Sequence, residues 1–196
     1  MERPRRPVPA GYGRVDVLVL CTANRCRSPM AEALLVDRLA STGVPATIIS
    51  AGMLAPGLAP PTGMVAALAR YGLDISGHLS RQLEAADVVA ADLVVGMARS
   101  HVREAVVMVP GAWPRAFTLK ELARRGSAVG PRRPGEDLAM WLARVGEGRV
   151  QSDLLGDADM DDVADPMGGA PEDYVATAAL LKELVDRLVN LAWPAR

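Results

Sequence analysis

Two cysteines, one phenylalanine and an aromatic content of 4% are what this 196-residue chain has least of. Two cysteines are too few to staple a small secreted fold, so the expected setting is a reducing cytoplasm. With so few rings, the core has to be built from Val, Leu, Ala and Met. Charge of one sign is also lacking: the formal net charge is -1, which argues against an electrostatic grip on nucleic acid or an anionic membrane. No apolar stretch approaches the roughly 20 residues needed to cross a bilayer. Arg3, Arg5, Arg6 and Arg14 precede the apolar run 15–20, as in a signal peptide. That run is short, is broken by Asp16 and leads to Asn24-Arg25-Cys26-Arg27 instead of a small-residue cleavage site, so it reads as a buried strand. Two Cys and two His without ligand spacing disfavour zinc, and no Gly-rich Lys-Ser/Thr loop for nucleotides is present. No metal and no cofactor are expected.

What is there is the composition of one globular domain, 50% hydrophobic and 23% charged. Residues 1–14, rich in Pro, Gly and Arg, read as a flexible tail. The run 15–20 is apolar and β-branched, as in a strand covered on both faces. Ser28 and Pro29 suit the N-cap and first position of a helix with Ala31, Leu34, Leu35 and Leu39 on one face. Strands are expected at 46–50, 92–97 and 116–119. Helices are expected at 63–71, just before 92, at 99–107, and from Pro171 through Leu191. The alternation implies βαβ units: an α/β fold with a four-stranded parallel sheet flanked by helices. The stretch 124–159 is the least patterned part, with a helix around Trp141 over 136–144. Ligands of such sheets bind beyond the carboxyl ends of the strands, where residues 21–28 lie.

Cys21-Thr22-Ala23-Asn24-Arg25-Cys26-Arg27-Ser28 is a Cys, five residues and an Arg, set between a strand and a helix. Inward N–H groups of Thr22, Ala23, Asn24, Arg25 and Cys26, a helix N-terminus and the planar fork of Arg27 make a cradle for a phosphate. The same field favours a thiolate, which makes Cys21 a nucleophile, and Ser28 can donate a hydrogen bond to its sulfur. Asn24 tolerates the left-handed backbone that a loop around an anion needs.

This loop closely resembles the phosphate loop of the low-molecular-weight protein tyrosine phosphatases, relatives of the thiol-dependent arsenate reductases. The resemblance spans 15–97 and 164–191, and implies hydrolysis of phosphate monoesters, phosphotyrosine in proteins foremost. It makes Asp165, in Asp165-Pro166 before the last helix, the acid that protonates the leaving oxygen and then the base that activates water. Asp157, Asp159, Asp161 and Asp162 read as a solvated acidic loop. Residues 77–83, Gly-His-Leu-Ser-Arg-Gln-Leu, look like the family segment holding a structural His, so His78 is expected to support the loop through Asn24 and Ser28. His101 has no such context and reads as a surface helix residue. Three departures stand out. Ala23 replaces a usual Gly, which would strain a position needing positive φ. Met167 replaces the usual Tyr, and residues 53–60 hold no Trp or Tyr, so the walls for a phenyl ring are thinned. The stretch 124–159 looks like an insertion.

An arsenate reductase on the same fold would need further cysteines to pass a disulfide outward, and there are none beyond Cys21 and Cys26. A non-catalytic oxyanion-binding module is the other alternative. Cys26 could close a reversible disulfide with Cys21 that shields the nucleophile from over-oxidation. Expected partners are a phosphorylated protein or a small phosphate ester, with no nucleic acid and no membrane.

Overall fold

A strand that is apolar on both faces must be buried on both, and the sheet is arranged accordingly. In the computed structural model, which describes residues 13–156 and 159–194, β1 (Val15–Cys21) and β3 (Leu93–Gly96) are the inner strands. β2 (Ala46–Gly52) and β4 (Ala116–Thr118) flank them in the order β2-β1-β3-β4, all parallel. Of the tail expected at 1–14, only Gly13 and Arg14 fall within the described residues; Asp157 of the acidic run falls outside them.

Seven helices connect and cover the described sheet: α1 (Arg27–Thr42), α2 (Thr62–Ala69), α3 (Ala85–Ala90), α4 (Arg99–Met108), α5 (Leu119–Val129), α6 (Leu138–Val145) and α7 (Pro171–Ala192). The period-2 alternation of β1 divides the core between the two faces. Val15, Val17 and Val19 pack with Leu34, Leu35 and Leu39 of α1 and with Leu181, Leu184 and Leu188 of α7. Leu18 and Leu20 point the other way, onto Val88 of α3 and Val102, Ala105 and Val106 of α4. No helix among the described residues is long and apolar enough to cross a membrane.

Two expectations need correction. Ser28 does not cap α1; the helix starts at Arg27 after Cys26, and the Ser28 hydroxyl is turned toward Cys21 instead. The stretch 124–159 is also better structured than its pattern suggests, because α5 begins at Leu119 and runs into it. Thr118 accepts a hydrogen bond from the Glu121 backbone N–H at 3.1 Å and so caps that helix.

The scarce rings are concentrated here. The Arg149 guanidinium lies 4.0 Å from the ring centroid of Trp113 and 3.8 Å from that of Phe117, and pairs with Glu121 at 2.7 Å. Trp141 is fully buried in the main core, and its indole N–H donates to Gly130 O at 3.0 Å. Trp141→Ala should cost about 3–5 kcal/mol, as large buried side chains do. Urea unfolding checks this: one cooperative transition at a lowered midpoint is expected. An unchanged midpoint would mean that α6 is not part of the core.

Candidate active site

Residues 21–28 cross from the carboxyl end of β1 into the first turn of α1. One residue carries the bend: Asn24 has φ 50°, the sole positive φ on a non-glycine among the described residues. Ala23 needs no such conformation, so the strain expected of it is not present.

Asn24 is fully buried, and every polar atom of its carboxamide is used. Its Oδ1 accepts from the Arg81 backbone N–H at 2.9 Å, which fixes the orientation of the amide. Its Nδ2 donates to Ser28 Oγ at 3.0 Å and to Ser50 Oγ at 2.7 Å. Each hydroxyl therefore has its own hydrogen free. Ser50 donates to Glu32 Oε2 at 2.5 Å, and Ser28 donates to Cys21 Sγ at 3.0 Å. His78 supports the same loop from outside, with Nε2 2.7 Å from the Asn24 carbonyl oxygen. Sequence reasoning named Asn24, Ser28 and His78 but missed Glu32, which ends the chain.

Arg27 is buried, at 5% exposure, and is held through both of its terminal nitrogens. Its Nη1 donates to Val163 O at 3.0 Å, and its Nη2 donates to Thr22 Oγ1 at 3.2 Å and to Asp165 Oδ2 at 2.5 Å. Its Nε is buried without any hydrogen-bond partner. A buried N–H of a charged group is too costly to leave idle, so this atom marks where an acceptor belongs. Arg25 leans outward, its Nε donating to Ala59 O at 2.8 Å. Cys26 is buried and paired with no other cysteine. Burial, with Asp165 and Cys21 adding, pushes its thiol up to about 12, so it stays protonated and is a poor nucleophile itself. Among the described residues, no group of three or more His, Cys, Asp or Glu side chains could hold a metal ion.

The loop bearing Asp165 is anchored by residues assigned in sequence to a solvated run. Asp161 is 5% exposed, accepting from Arg99 at 3.0 Å and Arg124 at 2.8 Å. Burial opposes its charge, but the two arginines outweigh it and hold the carboxyl below its ordinary range. Asp162 accepts from the Arg99 backbone N–H at 2.8 Å, and the Val163 N–H donates to Met97 O at 2.8 Å. Asp165 itself is half exposed beside Arg27, with Oδ1 accepting from the Met167 N–H at 3.1 Å.

Residues 16–127 match the family described as low molecular weight phosphotyrosine protein phosphatase, more than half of the chain. The chain belongs to this family. It is a cysteine-dependent phosphatase by that membership. The probable low molecular weight protein-tyrosine-phosphatase EpsP of Ralstonia solanacearum is 40% identical over 107 residues, covering 54% of this chain and 71% of that one. The protein-arginine-phosphatase of Geobacillus stearothermophilus is 31% identical over 175 residues, 89% of this chain and 93% of that one. The structure of the low molecular weight protein tyrosine phosphatase from T. tengcongensis superposes with a TM-score of 0.68 at 32% identity, covering 90% of this chain and 98% of that one.

His101 is a further residue of this low-molecular-weight phosphatase whose place differs from the sequence expectation. His101 is not on the surface: it is 3% exposed, with Nε2 3.0 Å from Thr22 Oγ1. The signal that could have found it is helical spacing, since His101, Val102, Ala105 and Val106 form the buried face of α4.

Two measurements follow from this geometry. A Cβ at Gly52 would lie 2.6 Å from Asn24 N, 2.8 Å from Ala23 C and 2.9 Å from Thr22 O, all backbone atoms. Gly52→Ala should therefore cost roughly 1–3 kcal/mol and misplace the loop. A shift of about 1 Å there should lower phosphatase kcat by around 10²-fold. Gly77→Ala, with nothing within 4 Å of its Cβ, serves as the silent control, and equal behaviour of the two would refute the close approach.

The second measurement concerns pH. Burial, with the Arg27 charge adding, pushes the His101 imidazole down from 6.5 to about 4, while Asp162 and Asp165 oppose the shift. Between those values the unfolded chain binds a proton that the folded chain does not, so stability rises with pH from about 4 to 6.5. His101→Gln should remove up to one proton's worth of that slope in urea titrations across the window. An unchanged slope would mean that the imidazole is not held neutral.

Proposed function

We propose that this protein hydrolyses phosphate monoesters, phosphotyrosine in proteins first among them, through a cysteinyl-phosphate on Cys21. The observation that carries the reading is the buried Arg27 Nε without a partner, on a loop that starts from a thiol receiving a hydrogen bond from Ser28. In the reaction, the phosphate sits against the N–H groups of residues 22–27, and Arg27 exchanges its bond to Asp165 for two phosphate oxygens. The Cys21 thiolate attacks phosphorus in line as the bond to the leaving oxygen breaks. Arg27 and the loop amides stabilise the equatorial oxygens. Asp165, released from Arg27, gives its proton to the leaving oxygen. It then takes a proton from the water that attacks the cysteinyl-phosphate, and the Cys21 thiolate leaves with the Ser28 hydrogen bond to support it. Arg27 and the amides supply the positive field, so the reading assigns no metal. We place the enzyme in a reducing cytoplasm, where both free thiols persist, and treat 15–196 as one domain elaborated at 124–159.

A second substrate reading rests on the mouth of the site. The exposed apolar side chains on the flanking loops are Leu54, Leu58 and Met167, and no aromatic ring stands among them. Arginine phosphatases resemble this chain over nine-tenths of its length, against about half for the tyrosine phosphatase EpsP. Phosphoarginine in proteins, whose flat guanidine needs no ring to stack on, is therefore the alternative substrate.

The test is metal-free hydrolysis of p-nitrophenyl phosphate between about pH 5 and 7. Turnover should vanish in Cys21→Ser and fall by roughly 10²–10⁴ in Asp165→Ala. Relative kcat/KM on phosphotyrosyl and phosphoarginyl peptides then ranks the two substrates. Wild-type protein that turns over none of the three would overturn the reading, leaving arsenate reduction or oxyanion binding.

A further inference from the structure

Behind Arg27 lies a polar group that the reaction above does not use. His101 reaches Thr22 from the buried face of α4, on the far side of the sheet end from the network around Asn24. Thr22 Oγ1 has two neighbours, His101 Nε2 at 3.0 Å and Arg27 Nη2 at 3.2 Å. Arg27 can only donate, so the hydroxyl accepts there. His101 Nδ1 is buried and touches no hydrogen-bond partner. An orphaned buried N–H is rarer than an orphaned acceptor, which decides the tautomer: the proton belongs on Nε2, and Nδ1 keeps a bare lone pair. Thr22 Oγ1 then accepts twice, and its remaining direction is that of its own hydrogen. Thr22 is exposed at the loop, beside the Arg27–Asp165 pair.

Resting on the phosphatase reading, we propose that His101 is a positioning residue that donates Nε2–H to Thr22 Oγ1 and so turns the Thr22 hydroxyl into a fixed hydrogen-bond donor for the ester oxygen on the Asp165 side of the cradle. Both lone pairs of Thr22 are occupied, so the hydroxyl cannot rotate to accept from substrate. It offers only a hydrogen, at the place where negative charge grows as the leaving oxygen departs. The imidazole has to be neutral for this. A protonated ring would stand as a second cation behind Arg27, and its burial excludes that charge over the working range. The groups facing it are Arg27 from the loop and α1, and Asp162 and Asp165 from the segment before α7. A bare core histidine would also be buried, but it would have no reason to share one hydroxyl with the arginine of the cradle.

The experiment combines spectroscopy with a cycle of variants. A long-range 1H–15N spectrum at pH 6.5 should show His101 neutral with the proton on Nε2. Thr22→Val, which keeps the shape and removes the hydroxyl, should lower kcat on p-nitrophenyl phosphate by roughly 10- to 100-fold with a much smaller change in KM. His101→Leu should do the same, and the double variant should be no worse than Thr22→Val alone, because the imidazole acts through that hydroxyl. His101→Gln, which keeps an N–H to donate, should recover most of the loss. An Nδ1–H tautomer, full activity in Thr22→Val, or multiplying defects in the double variant would each overturn the proposal. Affinity for inorganic phosphate, read on wild type and the four variants, should change far less than kcat. If wild type turned over no ester, the phosphatase reading would fall, whereas an active wild type matched in kcat by Thr22→Val would sink this proposal alone.

Discussion

The Asn24 carboxamide ties together three segments that meet beyond the sheet: the loop itself, the end of β2 at Ser50, and the strand-like residues 81–83 alongside Gly52. Its backbone takes a conformation that costs most residues about a kcal/mol or more, and its side chain supplies the compensation locally. Because Asn24 can only donate through Nδ2, the two serines it touches have no choice of polarity. Ser50 must pass its hydrogen to Glu32, and Ser28 must pass its own to Cys21. The direction of the last hydrogen bond, the one that reaches sulfur, is thus set by an amide two bonds away in the network. A loop with the same Cys and Arg but an apolar residue at 24 would keep the spacing and lose the polarity.

Arg27 is the second constraint, and a harder one, because a buried guanidinium must be answered on every N–H. Both terminal nitrogens are answered, by Val163 O, Thr22 Oγ1 and Asp165, and Nε is the one nitrogen without a partner. That division depends on Val163 staying where it is. The segment is held by the Asp161 carboxylate between Arg99 and Arg124, by Asp162 on the first N–H of α4, and by the backbone bond from Val163 to Met97 at the end of β3. The same clamp sets the height of Asp165, two residues on. The loop 21–28 and Asp165 are therefore positioned from different elements yet converge through one arginine.

The parts of this arrangement that could be read in sequence are those with a local signature. A β-branched run, a Cys-x5-Arg spacing and a proline-led helix place β1, the loop and α1 within one or two residues, and the leucine spacing after Pro171 places α7. Ser28 was misread because its capping tendency and its bond to sulfur compete for one hydroxyl, and only the fold decides between them. α5 was missed although Thr118 and Glu121 stand in capping spacing at its start. Asp161 looked solvated because its two arginines lie 62 and 37 positions away in sequence, a pairing that no local pattern contains. His101 belongs to the same class: its apolar neighbours on α4 were visible, but the hydroxyl it meets is 79 positions earlier.

Where the few rings sit also bears on what the enzyme recognises. Phe117, Trp141 and Trp193 are buried in the core, Trp113 stacks on Arg149, and Tyr174 lies behind the acid loop, accepting from the Gly168 N–H at 3.3 Å. Tyr71 is exposed just past α2, and the loops at 53–60 and 163–170 carry no aromatic residue of their own. A phenyl ring entering this mouth would meet aliphatic side chains, which offer contact area but no edge or face preference. In the reaction proposed above, discrimination then falls on groups that act at the phosphate and its bridging atom: the Arg27 fork, the loop amides and the Asp165 carboxyl. A bridging nitrogen carries a hydrogen that a bridging oxygen lacks, so the half-exposed carboxylate beside it is the element able to tell the two apart.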